Sequence, residues 1–463
     1  MRSVFARTSS TSRSFLFGET ADSQLAAPSR RCNLSDDIKI VLAGVGTVGA
    51  GVIDLLKRNG DLIAARAGRR PIVTGVSARN RKKDRGIDLS PLTWYDDPVV
   101  MARDADYDIY VELIGGTDGP AKVACETALR AGKHVVTANK ALIAEHGTAL
   151  AEAAEAAGGA LAFEASVAGG IPILKAMREG LAADRINRVV GILNGTCNYI
   201  LTAMRRSGRS FDEVLAEAQA LGYAEADPSF DVDGIDTAHK LAILTSLAFG
   251  IVIDFGGVSV SGIRNVTPLD IQFAEELGYR IKLLGIGALT NAGVEQRVEP
   301  CMVRCETPLG SVDGVYNAVM VQSDAADDTT YEGRGAGAMP TASAVIADLI
   351  DVTRGRTMPV FGIPAARLEQ PVRVDSEERG GAFYVRLNVR DVPGVIADIS
   401  AALRDEQVSL ETVVQRGRSP NDAVPVVLTT HKASAAALRR SLDRVANLDA
   451  VLEEPCLIRI EES

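Results

Sequence analysis

Apolar positions near the start of the chain alternate between strand-length runs and helical spacing. Lys39 to Ala43 is a short apolar run, followed at once by Gly44-Val45-Gly46-Thr47-Val48-Gly49 and then by Val52, Leu55 and Leu56 at helical spacing. Ile72 to Val76 predicts a second strand. Ile109 to Ile114 predicts a later one that ends in Gly115-Gly116, and His134 to Thr137 another, followed by a helix from Lys140. Strands alternating with helices predict an α/β fold with parallel pairing.

From about 160 to 340 the pattern changes to longer strands (Ile186 to Leu193, Val294 to Val303, Val315 to Val321) with mixed helices, an α+β arrangement. Leu241 to Ile253 is apolar throughout but far short of the roughly 18 residues of a membrane span, so it reads as a buried helix. Gly333-Arg334-Gly335-Ala336-Gly337 reads as a glycine-rich turn before a helix from Thr341 to Asp351, either closing back over a ligand or serving as a connector. Glu377-Glu378-Arg379-Gly380-Gly381 breaks the pattern near 370 to 382. Beyond it come a strand (Phe383 to Val389), a helix (Val395 to Leu403), strands Leu410 to Gln415 and Ala423 to Thr430, a helix (Ser434 to Val445) and a strand (Cys456 to Ile460). That order is βαββαβ, the ferredoxin-like pattern. The expected divisions are 1–36 as a disordered or mis-assigned tail, 37–162 as a nucleotide-binding domain and 163–340 as a second domain. Residues 341–376 then return to the first domain and link onward, and 382–463 form the terminal unit.

Strand, G-x-G-x-x-G and helix together form a dinucleotide-binding context of Rossmann type. Gly44 allows the tight turn, Gly46 lets backbone approach a pyrophosphate, and Gly49 permits close packing of helix on strand. The helix N-terminus at Thr47 and Val48 faces the anion. Ligands of such folds lie beyond the carboxyl ends of the strands, which makes Thr117 and Lys140 candidates for cofactor contact. The second strand ends in Ser77-Ala78-Arg79-Asn80-Arg81-Lys82-Lys83, with no acid for a ribose hydroxyl and several cations for a 2′-phosphate. NADP is favoured over NAD, the alternative being a solvated basic loop.

The 463 residues carry a net charge of −10, which argues against a general nucleic-acid binder. Six dispersed cysteines (Cys32, Cys125, Cys197, Cys301, Cys305, Cys456) with no C-x-x-C pair fit free thiols in the cytoplasm. Cys301 and Cys305 lack a nearby histidine to complete a metal set. Residues 1–18 hold Arg2, Arg7, Arg13, several serines and no acid, a composition like a transit peptide. A disordered or mis-assigned start is the favoured reading there.

The richest chemistry lies in residues 222–240, GYAEADPSFDVDGIDTAHK, where Glu225, Asp227, Asp231, Asp233 and Asp236 precede Lys240. As a calcium loop it fails, because counting from Gly234 puts Lys240 where the bidentate glutamate belongs. Asp236 and Lys240 are four apart and share one helix face. Leu241-Ala242-Ile243-Leu244 continue the helix, so the pair reads as partly buried rather than as an exposed salt bridge, and a lysine there suits proton transfer. Glu225 and Asp236 can accept hydrogen bonds from a substrate ammonium. His239 points elsewhere on the helix and reads as a satisfied structural histidine. Cys197, in Asn194-Gly195-Thr196-Cys197-Asn198, has no evident base or oxyanion hole and reads as a structural thiol, with the Gly195-Thr196 backbone lining the pocket.

Taken together, Gly44 to Gly49, Val111-Glu112-Leu113-Ile114-Gly115-Gly116, Thr137-Ala138-Asn139-Lys140, Phe163 to Pro172, Leu193 to Leu201 and Gly222 to Lys240 resemble homoserine dehydrogenase across about residues 37–460. The terminal βαββαβ unit resembles the ACT regulatory domain of bacterial members. The resemblance implies interconversion of L-homoserine and L-aspartate 4-semialdehyde, in threonine, methionine and isoleucine biosynthesis, by a cytoplasmic homodimer or homotetramer. It further implies an α+β catalytic and dimerisation domain, no membrane or nucleic-acid partner, and feedback by threonine through the ACT domain. By the same resemblance Lys240 is the general acid/base, Lys140 assists at the nicotinamide, and Glu225 and Asp236 bind substrate. Thr117, Lys140 and Gly337 join Gly46, Thr47 and Val48 at the cofactor. Family members also hold a sodium ion through largely backbone oxygens, here matching Glu164, Val167, Gly169 and Ile171. Two competing readings stand beside this one. Aspartate-semialdehyde dehydrogenase requires a nucleophilic cysteine that Cys197 does not convincingly supply. A non-catalytic amino-acid sensor has no use for Lys140, Glu225, Asp236 and Lys240 together.

Overall fold

The computed structural model describes residues 37–356, 358–374, 380–416 and 423–461. The expectation for the tail 1–36 and part of the break near 370–382 (residues 375–379) lie outside the described residues. Six strands, β1 (Ile38–Ala43), β2 (Pro71–Ser77), β3 (Thr93–Tyr95), β4 (Ile109–Glu112), β5 (His134–Thr137) and β6 (Leu161–Ala162), form a parallel sheet in the order β3-β2-β1-β4-β5-β6. This is the doubly wound nucleotide-binding order, with its switch point between β1 and β4. Strand β4 ends two residues before the expected Ile114, because Glu112 folds the chain back into a turn through Gly115 and Gly116, both at positive φ.

The strands are apolar on both faces because helices cover both. Ile40, Leu42, Val111 and Val136 pack with Ala342, Val345 and Leu349, whereas Val41, Tyr110 and Val135 pack with Cys125, Ala128 and Leu129. The helix Ala338–Thr353 thus comes back from the second half of the chain to lie on the nucleotide sheet beside the Thr47–Arg58 helix. A Cβ at Gly51 would come within 3.0 Å of the Ala338 carbonyl, so these helices approach closely.

The second sheet contains β7 (Ile186–Ile192), β8 (Ser259–Val260), β9 (Tyr279–Thr290), β10 (Gly293–Arg304), β11 (Tyr316–Ser323), β12 (Asp328–Arg334), β13 (Gly380–Arg390), β14 (Leu410–Gln415), β15 (Ala423–Thr430), β16 (Ala433–Ser434) and β17 (Cys456–Glu461). Its main order is β12-β11-β7-β9-β10-β17-β13-β15-β14. Gly333 and Arg334, read from sequence as part of a turn, are the last residues of strand β12 because they pair with Asn317 and Tyr316. The βαββαβ unit is present, with helices Val395–Asp405 and Ala435–Ala446, and it does not stand apart. Strand β17 pairs in parallel with β10 at Cys301, Met302 and Val303, fusing the two halves into one sheet. Buried charges lock that seam. Arg297 reaches Glu295 at 2.9 Å and Glu461 at 2.6 Å, and Arg459 reaches Glu299 at 3.0 Å.

The helix Ile235–Phe249 lies under this sheet, every residue from Asp236 to Ser246 buried. It starts before and ends before the apolar run Leu241 to Ile253, stopping at Gly250 in the left-handed conformation. Gly287 of β9 makes room for it. A Cβ there would sit 2.2 Å from Thr245 Cγ2.

Candidate active site

The site grows from the carboxyl ends of β1, β4 and β5. Gly44 has φ +98°, and a Cβ on it would lie 2.3 Å from the Leu113 carbonyl, so only glycine fits the turn. A Cβ on Gly46 would meet nothing within 4 Å. Gly46 caps the Thr47–Arg58 helix without a side-chain hydrogen bond, which leaves the first N–H groups free for an anion. Glu112, wholly buried, organises the opposite wall. It accepts Ile114 N at 2.7 Å, Gly115 N at 3.0 Å and Thr137 Oγ1 at 2.5 Å. Asn139 caps the Lys140–Ala157 helix through Leu142 N and donates to the Gly116 carbonyl at 2.7 Å.

Between these walls runs a cleft of about 770 Å³ lined by Gly44, Gly46, Arg79, Lys83, Arg85 and Gly116 among others. A second space of about 240 Å³, bordered by Val48, Asn139, Lys140, Ser166, Lys240 and Thr341, shares Leu113, Ile114 and Gly115 with it. The two are therefore contiguous, a long groove suited to a dinucleotide with its reactive end against two lysines. Arg85 ties the basic loop to the glycine turn, donating to the Val45 carbonyl at 2.7 Å, and stacks with Arg81 on Trp94. Thr117 is half-buried just after Gly116, and Gly337 caps the Ala338–Thr353 helix. Both adjoin the groove without lining it.

At the inner end Asp236 lies between two ammonium groups. Its Oδ1 is 3.0 Å from Lys140 Nζ and its Oδ2 is 2.7 Å from Lys240 Nζ. Lys240 also donates to the Leu193 carbonyl at 2.7 Å. Burial pushes the Asp236 carboxyl up, but the charges of Lys240 and Lys140 outweigh burial and hold it below the usual range. Burial likewise works against charge on Lys140, and Asp236 more than offsets it, raising that lysine. The pair expected to be partly buried is almost fully so, with Asp236 3% and Lys240 8% exposed.

The rest of the acidic segment has separate tasks. Glu225 is exposed, and its charge reaches Lys140. Thr196 Oγ1 donates to the Tyr223 carbonyl at 2.8 Å, anchoring the loop that carries Glu225, and Gly195 and Thr196 open the helix Gly195–Ser207. Asp227 accepts Ser229 N at 3.1 Å, Asp233 pairs with Arg264, and Asp231 accepts Asn194 Nδ2 at 2.8 Å. Cys197 is buried and its Sγ contacts the Asp231 carbonyl at 3.2 Å. Burial and the Asp231 charge raise its thiol far above the usual value, which suits a structural thiol.

His239 departs from the expectation of a satisfied histidine. Its ring lies between Phe230 and Phe255, its Nδ1 is buried with no hydrogen-bond partner among the described residues, and burial and the Lys140 charge lower it to about 4. Phe230 in turn places its ring 5.3 Å from Lys140 Nζ. Glu112, Asn139, Asn194 and Phe230 were missed as site residues. The helix-capping positions of Asn139 and Asn194 were the available sequence signals.

The segment Glu164 to Ile171 is buried apart from Gly170, and turns through Ala168 at φ +48°. Glu164 accepts Leu174 N at 3.0 Å and Lys175 N at 2.9 Å, and its own N–H donates to Asp348 at 2.8 Å. The Ile171 carbonyl accepts Ile173 N and the Glu164 carbonyl takes a long contact from Val167 N. Among the described residues no hydrogen bond ends on the carbonyls of Val167 or Gly169.

Family models match three stretches of the chain. These are the homoserine dehydrogenase NAD-binding domain over 44–164, homoserine dehydrogenase over 172–350 and an ACT domain over 383–447. The chain is 44% identical to the homoserine dehydrogenase of Pseudomonas aeruginosa, covering 92% of this chain and 99% of that relative. The chain belongs to the homoserine dehydrogenase family. Among solved homoserine dehydrogenases, the one from Thiobacillus denitrificans aligns with a TM-score of 0.87 at 44% identity, covering 92% of this chain and 99% of that one. A hyperthermophilic archaeal homoserine dehydrogenase in complex with NADPH aligns with a TM-score of 0.60 at 26% identity, covering 69% of this chain and 98% of that one. Membership makes the chain an oxidoreductase with a nicotinamide-dinucleotide domain. Among the described residues no helix is long and apolar enough to cross a membrane.

Proposed function

We propose that this chain interconverts L-homoserine and L-aspartate 4-semialdehyde using NADP, with Lys240 as the proton-transfer group. The observation that carries the reading is the Lys140–Asp236–Lys240 cluster at the inner end of the dinucleotide groove. The nicotinamide, when bound, supplies or accepts hydride at substrate C4. In reduction Lys240 gives a proton to the carbonyl oxygen as it gains charge. In oxidation the neutral amine takes the hydroxyl proton. Lys140 polarises the same oxygen, Asp236 holds both ammonium groups in place, and Glu225 receives the substrate ammonium at the mouth. The Gly195-Thr196 helix start faces the substrate carboxylate.

NADP is favoured because Arg79, Lys83 and Arg85 line the groove near the end of β2, and Asp96, an acid beside them, already accepts Trp94 Nε1. Gly44, Gly46, Thr47, Val48 and Gly49 cradle the pyrophosphate, with Thr117 and Gly337 at its borders. The Val167 and Gly169 carbonyls, carrying no hydrogen bond among the described residues, fit a hard monovalent cation together with those of Glu164 and Ile171. Sodium there would steady the turn between the two sheets. The ACT unit binds threonine and acts through the shared sheet. The sheet edges β12 and β14 suit pairing between copies in a homodimer or homotetramer. All five described cysteines are unpaired, in keeping with a reducing cytoplasm and a biosynthetic enzyme of the threonine, methionine and isoleucine group.

The test follows nicotinamide absorbance with aspartate semialdehyde, using NADPH or NADH, with and without threonine. Oxidation of NADPH in preference to NADH, slowed by threonine, is expected. Absence of oxidation with either coenzyme overturns the activity.

A further inference from the structure

Asp236 is buried and serves two lysines, so its rotamer must be fixed by something other than its own helix. Asn194, 5% exposed at the junction of β7 and the Gly195–Ser207 helix, is placed to do this. Its Oδ1 accepts Cys197 N at 2.8 Å, which fixes which end of the amide is which. Its Nδ2 must then face the acidic segment, where it donates to Asp231 Oδ1 and to Asp236 Oδ2, both at 2.8 Å. One neutral donor thereby bridges two carboxylates whose charges repel each other. The adjacent Leu193 carbonyl holds Lys240, so consecutive residues of one junction position both partners of the proton-transfer pair.

A carboxylate offers about four lone-pair sites. On Asp236, Lys240 and Asn194 occupy Oδ2, and Lys140 occupies one site of Oδ1. We infer that Asn194 is a positioning residue that closes Oδ2 of Asp236 to substrate and leaves a single acceptor site on Oδ1, beside Lys140, for a substrate hydroxyl or ammonium. The inference rests on the reading of Lys240 and Asp236 as the reacting centre.

Asn194→Ser keeps a good helix cap but is too short to bridge the carboxylates. Asn194→Asp keeps both cap and shape but puts a third carboxylate against the pair. For Asn194→Ser, kcat/KM for homoserine should fall about 10- to 100-fold with kcat taking most of the loss, while NADPH affinity and thermal midpoint stay near wild type. For Asn194→Asp, the acid limb of the pH–rate profile should also move up by about one unit, since added negative charge favours the protonated form of the groups it faces. A residue that only caps the helix would leave both variants at wild-type rates with an unmoved profile, and that result overturns the inference. Should Asn194→Ser fold poorly, the Asn194→Asp profile decides alone. Lys240→Ala is run alongside. If it is inactive while the Asn194 variants are normal, the positioning role alone fails. If it stays active, the reacting centre itself lies elsewhere and the inference falls with it.

Discussion

Lys240 Nζ lies 2.7 Å from Asp236 Oδ2, one helical turn away and buried beneath the second sheet. An exposed pair at this spacing would contribute little. Here the carboxylate is also shared with Lys140, which comes from the nucleotide sheet at the end of β5. The contact therefore ties the groove of the nucleotide sheet to the Ile235–Phe249 helix, and the distance between the lysines depends on how the two sheets are set.

The neutral His239 gives the protein an acid-sensitive helix. In the unfolded chain its imidazole protonates near 6.5, whereas in the fold it does so only near 4. Between those values the unfolded state binds more protons, so stability is lost as pH falls from about 6.5 to about 4, by up to about 3 kcal/mol. Thermal midpoints recorded across that window should fall less steeply for His239→Phe, which keeps the stacking on Phe230 and Phe255. Parallel wild-type and variant curves would assign the acid sensitivity to other groups.

Arg79 lines the groove without a hydrogen bond of its own among the described residues. Arg79→Ala should raise KM for NADPH about tenfold and leave KM for NADH nearly unchanged, the signature of a 2′-phosphate contact. Equal losses with both coenzymes would place the side chain elsewhere on the cofactor.

Asp270 joins the ACT unit to the Pro268–Glu276 helix of the preceding part of the chain. It is fully buried, closes the capping box of the Pro268–Glu276 helix by accepting Thr267 N at 3.0 Å, and accepts Arg386 Nε at 2.7 Å and Tyr384 Oη at 3.1 Å from β13. Asp270→Ala should cost about 2–3 kcal/mol, because Tyr384 Oη loses its acceptor and Arg386 keeps only its half-exposed partner Glu453. The milder Asp270→Asn should keep basal turnover and weaken the response to threonine. Inhibition curves for wild type and Asp270→Asn that superimpose would show that the effector acts through another contact.

Much of this architecture was legible in the chain because it is local. The strand ends at His134–Thr137, Leu410–Gln415 and Ala423–Thr430 follow from short apolar runs bounded by polar residues. What was not legible is long-range. Parallel pairing of Cys301 with Arg459 spans most of the second half, and no periodicity in either segment announces it. The nucleotide turn, Lys140 and the Asp236–Lys240 pair could be read from motif and spacing. The bridging of Asp231 and Asp236 by Asn194 could not, since it depends on where a β7 junction falls against a loop nearly 40 residues on. His239 was misjudged for the same reason. Helical phase shows that it points away from Lys240, but not that two phenyl rings await it.

The most direct test of the central claim is turnover of aspartate semialdehyde by wild type and Lys240→Met, with NADPH binding measured on the same samples. The account predicts a fall in kcat of about 10²- to 10⁴-fold with NADPH affinity essentially unchanged. Near-normal turnover in Lys240→Met would contradict it.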